Sequence, residues 1–329
     1  MGLILKFFGH KLLKLCLLLV AASILAFVLV SHSPIDPVQS YIGAEMTRVS
    51  PEQQEEIEAY WGLEKSPVEQ YLQWGKAMLG GDMGMSLIYR SPVIEVIAER
   101  FLASFALMGL AWGFSGLFGF LLGIIAGMRE GTWVDRLIKW YCFMLASTPA
   151  FWLGLVLLMV FAVWLGWFPV GLGTPAGILA EDVTLFERVQ HLFLPALTLS
   201  VVGVSGIALH TRQKLIEVMH SEYIRFATAR GESGLPLVRR HGIRNILLPA
   251  VSLHFASFGE LFGGAVLAEQ VFSYPGLGQA VVQAGLGGDV PLLLGVVLAS
   301  TIFVYMGNMA ADGIYQLVDP RIKRGGTSR

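Results

Sequence analysis

Apolar residues run along this chain in long unbroken stretches, and polar positions collect between them. A helix needs roughly 20 mostly apolar residues to cross about 30 Å of hydrocarbon. Six stretches meet or approach that length. They are Leu12 to Val30, with Lys14 near its start; Phe101 to Met128, without a charge; Trp140 to Val170, also without a charge; Leu192 to Leu209, short at 18 residues and bracketed by His191 and His210; Ile246 to Ala268, which contains Glu260; and Pro291 to Ala311, which reads on to Asp312. The third is too long for one crossing, so its end, Trp164-Leu165-Gly166-Trp167-Phe168-Pro169, reads as interfacial. The first has the basic start and apolar core of a signal peptide. Its length and its exit, Ser31-His32-Ser33-Pro34, favour an uncleaved helix. The pattern predicts an all-α polytopic membrane protein.

Composition agrees. Of 329 residues 55% are hydrophobic and 14% charged, whereas soluble domains carry about 25% charged residues. A net charge of −1 excludes a strongly basic nucleic-acid binder. Cys16 and Cys142 lie in apolar surroundings with no metal or disulfide spacing. The seven histidines do not cluster at ligand spacing, so no metal site is assigned. His254 reads as a hydrogen-bonded helix residue.

Lysines and arginines accumulate in cytoplasmic loops. With the N-terminus inside, 17 of the 23 fall on inner segments and 6 on outer ones. Both termini are therefore expected in the cytoplasm. On this topology residues 1–31 are the N-terminal segment and first span, and 32–100 an extracytoplasmic helical subdomain. Residues 101–318 form a five-helix core containing an inner loop at 211–245, and 319–329 a cytoplasmic tail.

In the outer segment Ser50-Pro51-Glu52-Gln53 and Ser66-Pro67-Val68-Glu69 are capping boxes with proline at the first helical position. The first helix is expected to stop at Gly62. The second presents Val68, Tyr71, Leu72, Gly75 and Leu79 on one face and ends at Gly80-Gly81. In the inner loop, Glu222 to Arg230 reads as a short helix stopped by Gly231, and Pro236 opens a second helix leading into the fifth span. Such a helix suits docking into a groove on a partner. An ordinary amphipathic linker has the same pattern.

Glu222-Tyr223-Ile224-Arg225-Phe226-Ala227-Thr228-Ala229-Arg230-Gly231, followed by Arg240-His241-Gly242-Ile243-Arg244-Asn245-Ile246-Leu247-Leu248-Pro249, resembles the cytoplasmic EAA-type loop of ABC importer permeases, in the form of the dipeptide/oligopeptide/nickel branch. Further blocks agree in order: Asp36-Pro37-Val38, Gly81-Asp82-Met83-Gly84, Pro92-Val93, Thr148-Pro149-Ala150-Phe151-Trp152, Glu269 to Gly278, Asp289-Val290-Pro291 and Asp319-Pro320-Arg321-Ile322-Lys323. The loop departs from the general pattern in lacking Glu-Ala-Ala; only Ala227 and Gly231 fit. The resemblance implies a type I importer permease in the bacterial inner membrane. It would pair with a second homologous permease, two cytoplasmic ATPase subunits and an extracytoplasmic substrate-binding protein. It also implies that Tyr223, Arg225, Phe226, Ala227, Ala229, Gly231 and Glu232 belong to the ATPase-coupling helix, with Ala227 against the ATPase. ATP and magnesium would sit on the partner subunits, because no Gly-x-x-x-x-Gly-Lys-Ser/Thr loop occurs here.

An ion-coupled transporter or channel is the alternative of another class. Only Glu260 and Asp312 stand well inside spans, too few for a polar path. An intramembrane enzyme lacks support, since neither His-Glu-x-x-His nor Gly-x-Ser-x-Gly occurs. Asp312 shares a helical face with Asn308 and reads as half of a structural polar pair. Glu260, flanked by Gly259, Gly263 and Gly264, lies fourteen positions past Ile246, about 21 Å along a straight helix. Ionisable groups at that depth face water or a partner. Glu260, Gly263 and Gly264 are therefore candidates for the translocation path or for the contact with the second permease. The glycine pattern leans towards nickel-type members, although a carboxylate suits a peptide ammonium equally.

Topology is directly testable. Cysteines placed at Glu56 and Gln283 should react with an impermeant thiol reagent in intact cells, and one at Ser233 should not. Labelling at Ser233 from outside would overturn the assignment.

Overall fold

The computed structural model describes residues 2–32, 65–178 and 182–318. The expected capping box at Ser50, the stop at Gly62, Asp36-Pro37-Val38 and the block from Asp319 lie outside the described residues. Apart from one bridge between Met85 and Pro92, the described residues form only helices, turns and irregular segments. Four helices are long and apolar enough to cross a membrane: Gly9–Ser31, Val93–Met128, Leu185–Met219 and Val290–Gly313. Two bent pairs, Trp133–Ala146 with Ala150–Trp164 and Gly234–Ala256 with Phe258–Val271, make six if each pair is one broken span. The chain divides into two units, Met1–Ser104 with Pro275–Tyr305 and Phe105–Tyr274 with Met306–Arg329.

In the first unit, α1 (Gly2–Ser31) buries Ala26 and Phe27 against Leu294, Tyr71 and Trp74. Ser66 caps α2 (Pro67–Leu79) as the capping box predicts. Hydrogen bonds from the Ser66 side chain and backbone hold the Glu69 carboxyl below its usual range. The packed face keeps Tyr71 from the expected one but turns away from its aliphatic row. Tyr71 and Trp74 turn inward, while Val68, Leu72 and Leu79 are exposed. An aromatic pair one turn apart buries more area than the aliphatic row, and the Tyr71 hydroxyl also bonds Ser23 at 2.8 Å.

Two motifs far apart in sequence meet in this unit. Asp289, fully buried, caps the helix starting at Val290 by accepting from the Leu292 N–H. Its other oxygen accepts from the Ser86 hydroxyl at 2.6 Å and the Ile88 N–H at 3.0 Å. The turn after Gly81-Asp82-Met83-Gly84 is thereby pinned to Asp289-Val290-Pro291. Val93, Val96 and Ile97 pack alongside on Leu277, Ala280 and Leu292.

The second unit is built on α3 (Val93–Met128, of which residues from Phe105 belong here), α4 (Trp133–Ala146), α5 (Ala150–Leu157) and α6 (Leu185–Met219). A π-helical segment, Leu158–Trp164, continues α5. The short fourth apolar stretch is part of the 35-residue α6, which Thr184 starts through a capping box with Glu187. This helix extends past the apolar stretch at both ends, most at its C-terminal end, to Met219. The long third stretch is two helices meeting at 105°. Pro149 lacks an N–H at the break. The Thr148 N–H turns to the Leu145 carbonyl and the Thr148 hydroxyl covers the Met144 carbonyl, while the Ser147 hydroxyl adds a bond to the Phe143 carbonyl, which keeps its backbone donor.

Gly119, Gly123 and Gly127 of α3 face α6. A methyl added at Gly123 would lie 2.6 Å from both the Ala208 carbonyl oxygen and Thr211 Cβ. These glycines let two helices approach to backbone contact. Near the ends of α4 and α6, Asp135 is fully buried and held by Arg212, with Nε–Oδ1 at 2.5 Å and a second bond of 2.8 Å to Oδ2. The Gly131 N–H adds a third bond at 3.0 Å. Removing one partner from such a pair strands a buried charge, a loss of about 3–5 kcal/mol.

Gly123→Ala should lower the thermal stability of the purified protein by about 1–3 kcal/mol of overpacking. Gly109→Ala on the same helix, where nothing lies within 4 Å of the added methyl, should leave it unchanged. Equal melting temperatures for the two variants would remove the glycine seam as the reason α3 and α6 lie so close.

Candidate functional site

The fifth apolar stretch is also two helices. A short turn, α8 (Gly234–Leu237), and a π-helical segment, Val238–Gly242, lead into α9 (Ile243–Ala256), and α10 (Phe258–Val271) follows after Ser257. The bend is 50°. Ser257 closes it by donating its hydroxyl to the His254 carbonyl at 2.9 Å and its N–H to Leu253 at 3.1 Å. Glu260 sits in the first turn of α10, beyond the bend, so the depth expected from a straight helix does not apply.

Glu260 opens onto a cleft of about 440 Å³ within the second unit. Its walls come from α6 at Leu199 to Ile207, from Ser115 of α3, and from Leu253, Ala256 and Ser257. Ala146 and Ala150, on either side of the Pro149 break, line the same cleft. Both broken spans therefore bring their breaks to one place. Glu260 is the one charged residue of the lining and is exposed within it. Among the described residues no lysine, arginine or histidine lies within ion-pair distance of it. Of the two predicted glycine neighbours, Gly264 seats α10 on α6, where an added methyl would meet Leu199 at 2.8 Å. Gly263 faces open space. Asn308 and Asp312 are both exposed, one turn apart on α12 (Val290–Val318; α11 is Leu277–Leu286).

Sequence reasoning missed one neighbour of the cleft. Trp112 stacks on His254 with ring centres 4.1 Å apart and donates its indole N–H to the His254 carbonyl at 3.2 Å. His254 Nδ1 is buried without a hydrogen-bond partner among the described residues. Stacking on Trp112, which the sequence did not suggest, thus adds to what holds this histidine.

The loop at 211–245 forms the short helix expected of it, α7 (Glu222–Ala229). Gly231 terminates it at φ +90°, a left-handed conformation that favours glycine. Ile224 and Ala227, three apart, are buried against Leu237 and Met219. Ala227 thus packs on its own chain and does not face outward, because the two small-to-medium apolar residues of this helix share its inner face. Tyr223, Arg225, Phe226 and Ala229 are exposed, Phe226 to 66%. Glu232 folds back to His241 at 3.1 Å and to Arg240 at 3.9 Å, tying the end of α7 to the π segment. Leu215, Val238 and Ile246 then join α6, the π segment and α9 in one buried cluster.

Comparison with known proteins decides the family. Residues 119–324 match the model for the binding-protein-dependent transport system inner membrane component. The chain belongs to this family. It is 33% identical to the oligopeptide transport system permease protein AppB of Bacillus subtilis over 307 residues, 93% of this chain and 95% of that protein. It is 33% identical to the di/tripeptide transport system permease protein DppB of Pseudomonas aeruginosa over 334 residues, 97% of this chain and 99% of that one. Among solved structures, the inward-facing MetNI methionine ABC transporter matches with a TM-score of 0.56 at 19% identity, covering 69% of this chain and 97% of that chain, a likeness of fold. The chain is thus an inner-membrane ABC importer permease of the peptide branch, a transport subunit. The readings as ion-coupled carrier, channel or intramembrane enzyme fall.

Proposed function

We propose that this permease forms, with a second homologous permease, the path of a peptide importer, with both termini in the cytoplasm. Two cytoplasmic ATPase subunits carry the ATP and magnesium, and an extracytoplasmic binding protein delivers the cargo. The AppB and DppB relatives are named for oligopeptides and di- or tripeptides, which supports peptides over nickel or metal chelates.

The observation that carries this reading is the two-sided character of α7. One face is locked to its own chain by Ile224 and Ala227, and the other offers Phe226 and Tyr223 beside Arg225. A rigid helix with an exposed aromatic is what a groove on a partner takes as an anchor. In this reading, ATP-driven closure of the ATPase pair displaces α7. Displacement passes through Leu237 and the π segment to α9, and the bend at Ser257 lets α10 reorient, which is alternating access through packed helices. Glu260 and Gly263 then line the path, with Gly264 holding α10 in place.

Phe226→Ala should weaken co-purification of the ATPase subunits by about 2 kcal/mol, roughly thirtyfold, with uptake falling in step. Ala227→Asp should instead destabilise the loop from within, seen as faster proteolysis around residues 230–240. Full ATPase retention and normal uptake in Phe226→Ala would remove α7 from the coupling role.

A further inference from the structure

The chemistry of the cleft narrows what it can hold. Three serines line it with Glu260. Each donates its only hydroxyl proton to a backbone carbonyl three residues earlier: Ser115 to Trp112 at 3.0 Å, Ser205 to Val202 at 3.0 Å and Ser257 to His254 at 2.9 Å. A carbonyl cannot donate, so the direction of each bond is fixed and each hydroxyl oxygen has only lone pairs left to offer. Glu260 supplies two further acceptors. Every other lining side chain is apolar or absent, and none is basic. The side chains of the cleft thus present acceptors and a single negative charge, and no donor.

A group that satisfies this lining carries several donors and a positive charge. An ammonium does, with three donors and no acceptor. A carboxylate fits less well: it would meet Glu260 and gain a serine donor only by breaking that hydroxyl's bond to the backbone. The breaks at Pro149 and Ser257 open the cleft where two spans already bend, and backbone breaks at membrane depth mark substrate sites in other transporters.

We propose that this cleft receives the α-ammonium end of a peptide, with Glu260 as its counter-ion and the oxygens of Ser115, Ser205 and Ser257 as acceptors. The peptide then passes amino end first into a site that disfavours its carboxylate. This rests on the cleft being part of the translocation path.

The test uses the full transporter, with both permeases, the ATPases and the binding protein, reconstituted in liposomes and supplied with dialanine, trialanine or tetraalanine. Carbodiimide activation during turnover couples a carboxylate to an amine held against it, so the peptide should appear as an amide on Glu260 by peptide mapping, absent in Glu260→Gln. Uptake should fall roughly tenfold in Glu260→Gln, the loss expected for a hydrogen bond to a charged group, and Glu260→Asp should recover most of it. Absence of the adduct in the wild type, or a cross-link from Glu260 to a lysine of the second permease instead, overturns the inference. Ser205→Cys separates this from the path itself. If a thiol-reactive cation at position 205 blocks uptake while Glu260→Gln transports normally, the path stands and the ammonium site fails. If the modified protein transports normally, the path reading fails as well. Uptake of none of the three peptides by the wild type defeats the peptide reading.

Discussion

A helix cannot stop inside hydrocarbon unless the backbone groups it frees find partners or water. That constraint organises the second unit. Two spans break, one at Pro149 and one at Ser257, and the residues flanking both breaks line one cleft beside α6. On one side the Thr148 hydroxyl covers the Met144 carbonyl, and on the other the Ser257 hydroxyl covers that of His254. Between the breaks α6 runs unbroken for 35 residues. The glycines of α3 bring that helix onto α6 closely enough to close the cleft on one side.

The same unit holds its loop at 211–245 in a different way. Helix α7 is too short to be stable alone, since isolated helices below about 12 residues are marginal in water. Its order comes from Ile224 and Ala227 under Leu237, from the left-handed stop at Gly231 and from the Glu232–His241 contact. Each of these ties it to the segment entering α9. The buried Asp135–Arg212 pair fixes α4 to α6 nearby. In the proposed coupling, a displacement of α7 would pass to α9 and α10, which meet at the 50° bend.

The amino-acid pattern revealed the all-helical membrane fold, the capping box at Ser66, the short helix at Glu222 and the stop at Gly231. It also isolated Glu260 as the acid to explain. Boundaries and bends were not legible, because hydropathy measures compatibility with lipid and not backbone geometry. Glu95, Glu99 and Arg100 are charged yet helical, so α3 starts at Val93 and not at Phe101. Ser257 carries no break signal of the kind Pro149 does, and the fifth span read as straight. The face of so short a helix as α7 is likewise underdetermined by periodicity: Ala227 and Phe226 are adjacent, and only packing against Leu237 and Met219 decides which points inward. Asp289 joined to Ser86 and Ile88 is a contact between distant parts of the sequence, beyond any local pattern.

The mechanism requires that both breaks open onto water. In a background lacking Cys16 and Cys142, single cysteines at Ala150, Ala256 and Leu121 are exposed to a water-soluble methanethiosulfonate in the purified complex in nanodiscs. A thiol reacts through its thiolate, which forms in water and not in hydrocarbon. Fast modification is expected at positions 150 and 256, and slow modification at 121, on the outer surface of α3. A cysteine at 150 or 256 reacting no faster than the one at 121 would contradict an aqueous cleft at the breaks.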